Sequence, residues 1–214
     1  MRKQRRNQLF DDWAEDYDHS VTLNEGTFPF DGYDKVLDTV VGLADVEPDL
    51  RVLDLGIGTG NLAARFLRQG CDVWGLDFSP EMIDRAREKL PQVHLVQANL
   101  LGKWPTELRL PFDRIVSAYV FHEFDLAAKM ALLQRLARSY LAKGGSIAIG
   151  DIAFPTVQAR ERAHQEWMEL WDEDEHYWAA DETEAACGQA GLRVAYRQVS
   201  SCGGVFVFAQ GDAG

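Results

Sequence analysis

Cysteine is scarce. The chain of 214 residues has three, Cys71, Cys187 and Cys202, widely spaced and odd in number. Such a set offers neither a disulfide scaffold nor a thiolate metal motif, and it fits a reducing, cytoplasmic setting in which each is a small buried hydrophobe. Long apolar runs are missing too: none approaches the roughly 20 residues that a membrane-spanning helix needs, so no membrane partner is expected. Positive charge is in short supply, with 22 basic against 34 acidic side chains and a net charge of -12. Beyond Arg6 no basic face is left to meet a polyphosphate, so no nucleic-acid partner is expected. Arg2, Lys3, Arg5 and Arg6 are not followed by an apolar segment, so they read as a solvated terminus and not as a secretory signal. The five histidines, His19, His94, His122, His164 and His176, show no ligand spacing of the HxH or HxxxH kind, and no metal site is expected.

What is present is a regular alternation of short apolar strands and amphipathic helices. A helix is expected over Asp31–Val46, closed by Pro48, then strand Arg51–Leu55 and helix Asn61–Gln69 with Gly70 as its C-cap. Strand Cys71–Leu76 leads to a helix that opens at Ser79-Pro80-Glu81, a serine N-cap with proline in first position. Strands Val93–Gln97 and Phe112–Ala118 follow, then helix Asp125–Leu141 stopped by Gly144-Gly145, strand Ser146–Ile152 and helix Gln158–Trp171. Crossovers at this pitch imply a doubly wound, mostly parallel α/β sheet with helices on both faces. The end departs from the alternation. After helix Asp181–Ala190, capped by Gly191, only five residues separate Leu192–Val199 from Val205–Gln210, which is too few for a crossover and demands an antiparallel hairpin. Seven strands in one domain over 1–214 are expected, as a monomer or homodimer, with 1–30 a possible lid segment.

The strongest local signal is Asp54-Leu55-Gly56-Ile57-Gly58-Thr59-Gly60, at the end of the first clear strand and the opening of a helix. Glycines there let the backbone turn tightly and approach a ligand. A dinucleotide fingerprint asks for glycine where Asn61 stands, and its pyrophosphate would be repelled by Asp54. S-adenosylmethionine carries a sulfonium and an ammonium, and an anionic neighbour suits both. Asp77, at the end of the second strand, is placed to accept from ribose hydroxyls, a role that suits NAD equally well.

On these residues the chain resembles the class I S-adenosylmethionine-dependent methyltransferases of the small-molecule type, with a Rossmann-like domain, over nearly its whole length. The resemblance implies sheet order 3-2-1-4-5-7-6 with the last strand antiparallel. It also implies a cofactor held by Gly56, Gly58, Gly60 and Asp54, with Asp77 and the neighbouring Phe78 at the ribose. Ala98, Asn99 and Leu100 fall where the family contacts adenine, and Ser117 belongs to the fourth-strand motif. Trp13-Ala14-Glu15-Asp16-Tyr17-Asp18 resembles a segment that folds over the cofactor, with Tyr17 as its contact.

Methyl transfer from a sulfonium asks the protein to align a lone pair, exclude water and, where needed, take a proton. His122 follows the fourth strand, on the carboxyl edge where open sheets bind ligands, and reads as a base or a positioning group; Tyr119 reads as a wall of the pocket. Trp167, Met168, Trp171, His176, Tyr177 and Trp178 could line an acceptor pocket whose mouth Asp172-Glu173-Asp174-Glu175 makes anionic. The expected activity is methylation of a small molecule. The alternatives are a SAM-binding adaptor without catalysis and an NAD-linked oxidoreductase.

Overall fold

The computed structural model describes residues 26–211. Eight strands form one sheet in the order β3-β2-β1-β4-β5-β8-β7. They are β1 (Arg51–Leu55), β2 (Asp72–Asp77), β3 (His94–Gln97), β4 (Phe112–Ala118), β5 (Leu141–Phe154), the two-residue β6 (Trp178–Ala179), β7 (Leu192–Gln198) and β8 (Gly203–Gln210). From β3 across to β5 all pairings are parallel, and β8 runs antiparallel to both β5 and β7. This is the expected topology, with β6 an additional parallel partner of β5 off the main path.

Helices α1 (Tyr33–Ala44), α2 (Asn61–Arg68), α3 (Pro80–Lys89), α4 (Leu126–Ser139), α5 (Val157–Glu166) and α6 (Ala180–Ala190) complete the framework. Strand residues alternate between two apolar layers, as the period of two requires. Val52, Val73, Val116, Ala148 and Ile152 meet the buried faces of α1, α2 and α3. Leu53, Leu55, Leu76, Ile115, Ile147 and Ile149 face Leu132, Leu133 and Leu136 of α4 and Cys187 of α6. The three cysteines are free and buried, as read.

Local signals place most boundaries. Ser79 Oγ accepts from the Met82 amide, with Pro80 in the first turn, and Asp125 accepts from the Ala128 amide to open α4. Gly70 and Gly191 take the left-handed backbone just past α2 and α6, with φ +81° and +70°.

Two expectations fail. Helix α4 ends at Ser139, before Gly144-Gly145, and β5 starts at Leu141 and runs through both glycines. They serve a strand irregularity instead: the β4–β5 register jumps between the Phe112↔Leu141 and Arg114↔Ser146 pairs. A Cβ on Gly145 would lie 2.7 Å from the Asp113 carbonyl, so the strands close there only because that residue has none. Helix α5 ends at Glu166, short of Trp171. Trp167 and Trp171 stack instead on Phe28, at centroid separations of 4.9 and 5.6 Å. Ring packing there outweighs the helical period.

Candidate active site

The turn after β1 is held by its own backbone. The Gly56 and Ile57 amides both donate to the Leu76 carbonyl, at 2.7 and 3.0 Å, drawing the loop against the end of β2. Gly56, Gly58 and Gly60 sit at φ +68°, +53° and +89°, a region open chiefly to glycine. Their surroundings differ. A Cβ on Gly56 would strike Val120 at 2.5 Å and one on Gly60 would strike Leu90 at 2.6 Å, whereas one on Gly58 would meet nothing within 4 Å among the described residues. Gly58 therefore borders open space, where a ligand can approach the backbone.

Two carboxylates flank this turn with different fates. Asp77 accepts from the Gly58 amide through Oδ2 at 2.9 Å and from the Ser79 amide through Oδ1 at 3.0 Å. Its first task is to tie the glycine turn to the start of α3. Asp54 is 1 % exposed, and its Oδ2 has no hydrogen-bond partner among the described residues. Burial, and then the charge of Asp77, push its pKa up to about 8 against the opposing effect of the Ala63 amide. A buried carboxylate with an unused oxygen is costly, and a cationic ligand at the turn would relieve it.

Beyond β3, Ala98 donates its amide to the Asp77 carbonyl at 2.8 Å, and Gln97 Nε2 donates to the Phe78 carbonyl at 3.1 Å. Leu100 is buried and Asn99 exposed. Asn99 Oδ1 accepts from the Leu101 amide at 2.9 Å. Ser117 is fully buried, and its hydroxyl donates to the Leu55 carbonyl at 2.7 Å, joining β4 to β1 under the turn. Tyr17 lies outside the described residues.

The other half of the site is assembled from distant segments. Tyr119 leaves β4 at φ +56°, a strained conformation for a bulky residue that redirects the chain into a short 3₁₀ turn, Phe121–Glu123. Its ring is buried and stacks on Tyr33 at 5.0 Å, and its hydroxyl has no hydrogen-bond partner among the described residues. His122 follows, 9 % exposed. Asp151 of β5 grips it twice: the His122 amide donates to Oδ2 at 2.9 Å, and Nδ1 lies 2.6 Å from Oδ1. Trp178 Nε1 also donates to Asp151, at 3.0 Å. With Nδ1 so engaged, Nε2 faces Glu175 at 3.7 Å and Glu123 at 3.9 Å.

Opposing effects act on the charge of His122. Burial alone would lower its pKa, but Asp151, Glu175 and Glu123 outweigh it and raise it to about 9. The raised pKa favours the protonated ring. The segment carrying Glu175 is pinned from three sides. The His176 amide donates to the His122 carbonyl at 2.7 Å, Arg160 of α5 donates to the Tyr177 carbonyl at 2.7 Å, and buried Lys129 of α4 donates to the His176 carbonyl. Lys129 also lies 4.1 Å from the Trp178 ring centre, and its burial lowers its pKa to about 8. Of the acidic mouth, Glu175 turns inward, while Glu173 pairs outward with His164 at 2.8 Å.

Asp151 and Lys129 were not singled out by sequence reasoning. The available signal for Asp151 was a carboxylate inside the otherwise apolar strand Ile147–Ala153; for Lys129, a cation on the apolar face of α4, among Leu132, Leu133 and Leu136.

A strand-ending acid, a glycine turn with one open face, a second acid closing the next strand and a charged rim beyond β4 lie together at the switch point of the sheet, where open α/β folds bind ligands. Comparison with known proteins names the class. The family described as a methyltransferase domain matches residues 52–145. An uncharacterized methyltransferase of Alkaliphilus oremlandii is 35% identical over 154 residues, 71% of this chain and 69% of the relative. The uncharacterized methyltransferase YrrT of Bacillus subtilis is 33% identical over 202 residues, 89% of this chain and 91% of the relative. The chain belongs to the methyltransferases. Its fold is shared with a DhpI complex with S-adenosylhomocysteine (SAH), with TM-score 0.71 and 19% identity, covering 97% of this chain and 96% of that one. Magnesium protoporphyrin IX methyltransferase from Synechocystis PCC 6803, with bound SAH, gives TM-score 0.72 and 16% identity, covering 97% and 99%.

Proposed function

We propose that this enzyme methylates a small molecule held between the glycine turn and His122. The observation that carries the reading is the enclosure of His122: its ring is buried, anchored by Asp151, and walled by Glu123, Glu175 and Tyr177. An enclosed, acidic site of this kind excludes a polymer and repels a polyanion.

Asp54, the open backbone at Gly58 and the carboxylate of Asp77 are the groups that would hold the cofactor. The unpartnered Asp54 oxygen suits its ammonium end, whereas a pyrophosphate would be repelled there, which disfavours the NAD-linked reading. When bound, S-adenosylmethionine supplies a methyl group on a sulfonium, open to in-line displacement. The chain's own contribution is orientation and exclusion of water. His122 offers an N–H from Nε2 to the acceptor, while Glu123 and Glu175 balance its charge and favour an acceptor with cationic character. In this reading His122 positions the acceptor and does not take its proton. No described helix is long and apolar enough to cross a membrane.

Titration with S-adenosylmethionine and SAH, followed by a labelled methyl-transfer screen over metabolite extracts, tests the proposal. Label should appear in a low-molecular-weight product. Tight cofactor binding with no transfer to any fraction would favour an adaptor, and transfer only to protein or nucleic acid would overturn the small-molecule reading.

A further inference from the structure

We propose that His122, Glu123 and Glu175 form a binding site for a divalent transition-metal ion at the acceptor end of the active site. One ligand atom from each lies within 4.8 Å of the other two. His122 Nε2 stands 3.7 Å from Glu175 Oε1 and 3.9 Å from Glu123 Oε1, too far for hydrogen bonds. Metal bonds of about 2.0–2.2 Å place neighbouring ligand atoms about 3 Å apart, so an ion would draw each carboxylate toward Nε2 by about 1 Å or less and the two carboxylates together by about 2 Å at most. Both glutamates sit on rotatable stems and are partly exposed, so that closure needs no movement of the backbone.

Two independent features aim these groups at a common point. Nδ1 of His122 is engaged by the fully buried Asp151, which leaves Nε2 of the nearly buried ring directed at the carboxylates with no hydrogen bond of its own among the described residues. A carboxylate behind the histidine is the arrangement that orients an imidazole toward a metal. On the other side, the Tyr177 hydroxyl hydrogen-bonds the Glu175 carboxylate. The three ligands come from two segments, 122–123 and 175, which explains why histidine spacing shows no motif.

The donor set selects the ion. One imidazole nitrogen with two carboxylates suits Mn²⁺, Fe²⁺ or Zn²⁺ better than Mg²⁺ or Ca²⁺, which prefer all-oxygen shells. Three protein ligands would leave positions open for an acceptor's oxygen or nitrogen, which the ion would hold and acidify. The ion would take the place of the Nε2 proton, so metal binding and the N–H contact to an acceptor are alternative states of His122. The inference shares its site with the proposed methylation but does not depend on it, because metal binding is read without cofactor or acceptor.

The test uses the full, tag-free chain stripped with a chelator and titrated with MnCl₂ alone, following the resonance signal of free Mn²⁺, and with ZnCl₂ by calorimetry. One equivalent per chain is expected. Glu175→Gln and His122→Gln should weaken binding by about 10-fold or more, and Asp151→Asn by about 10–100-fold through the lost orientation of the ring. Glu173→Gln, in the same acidic turn but facing His164, should leave it unchanged. S-adenosylmethionine titration of each variant shows that it is folded, and if His122→Gln fails that check, Glu175→Gln decides alone. Absence of saturable binding to the wild type overturns the proposal. Binding that Glu175→Gln leaves intact, or that Glu173→Gln weakens equally, overturns it too.

Discussion

The proposed cofactor half and the proposed acceptor half of this site are built in opposite ways. Around the glycine turn, neighbouring residues use their backbone: amides of Gly56 and Ile57 on the Leu76 carbonyl, and the Gly58 amide on Asp77. Around His122, side chains from the turn after β4 and from β5, α4, α5 and the 175–178 segment meet in a largely buried network of charges. A backbone-built site is fixed by a few local torsions, whereas a side-chain network depends on every element that carries a member. Damage should therefore spread differently in the two halves.

The largest effect is expected at Asp151. Its replacement by Asn removes the charge that faces His122 and weakens the grip on Trp178, leaving an imidazolium buried among fewer partners. Stability in urea should fall by about 3 kcal/mol, the low end for breaking a buried pair. A loss under about 0.5 kcal/mol would show that the network is not under the electrostatic load described.

Asp54→Asn should do the reverse. Affinity for S-adenosylmethionine should fall by about 1–3 kcal/mol at pH 8, while the folded protein gains stability. The sign follows from its pKa, raised from the ordinary carboxylate value of 3.8 to about 8. Between those values the folded state holds a proton that the unfolded state has released, so the cost of Asp54 grows with pH up to about 8 and then levels. The stability gained by Asn should follow that curve in denaturation from pH 5 to 9. Cofactor affinity of the wild type should rise over the same window, with proton release on binding below pH 8.

Much of the fold was legible because its signals are local. Ser79-Pro80 starts α3, and the short Ser200–Gly204 connection dictates the antiparallel end. Gly144-Gly145 misled because a glycine pair that commonly stops helices here relieves crowding against the Asp113 carbonyl, a partner some 30 residues away. The same divide runs through the site. Asp54, Gly58 and Asp77 stand in one strand–turn–helix–strand unit, so their juxtaposition follows from local signals. His122 could be located, but its protonation could not, since that is set by Asp151 and Glu175, and which acids a fold brings to a histidine is a property of packing.

Gly58 and Ser117 sharpen the comparison at smaller scale. An alanine at Gly58, held at φ +53° with no neighbour to strike, should cost about 1–2 kcal/mol of stability from backbone strain and weaken the cofactor as well. Equal cofactor affinity would remove the open face of the turn from the binding site. Ser117→Ala, losing only the bond to the Leu55 carbonyl, should cost about 1 kcal/mol with cofactor affinity unchanged. A matching loss of affinity would return Ser117 to direct contact with the cofactor.

The most direct test of the divided site is calorimetric titration of S-adenosylmethionine, at pH 8, into Asp54→Asn and Glu175→Gln side by side. The first should bind about 5–150-fold more weakly than wild type, and the second within about threefold of it. Similar losses in both variants, or a loss confined to Glu175→Gln, would contradict the separation of a cofactor half from an acceptor half.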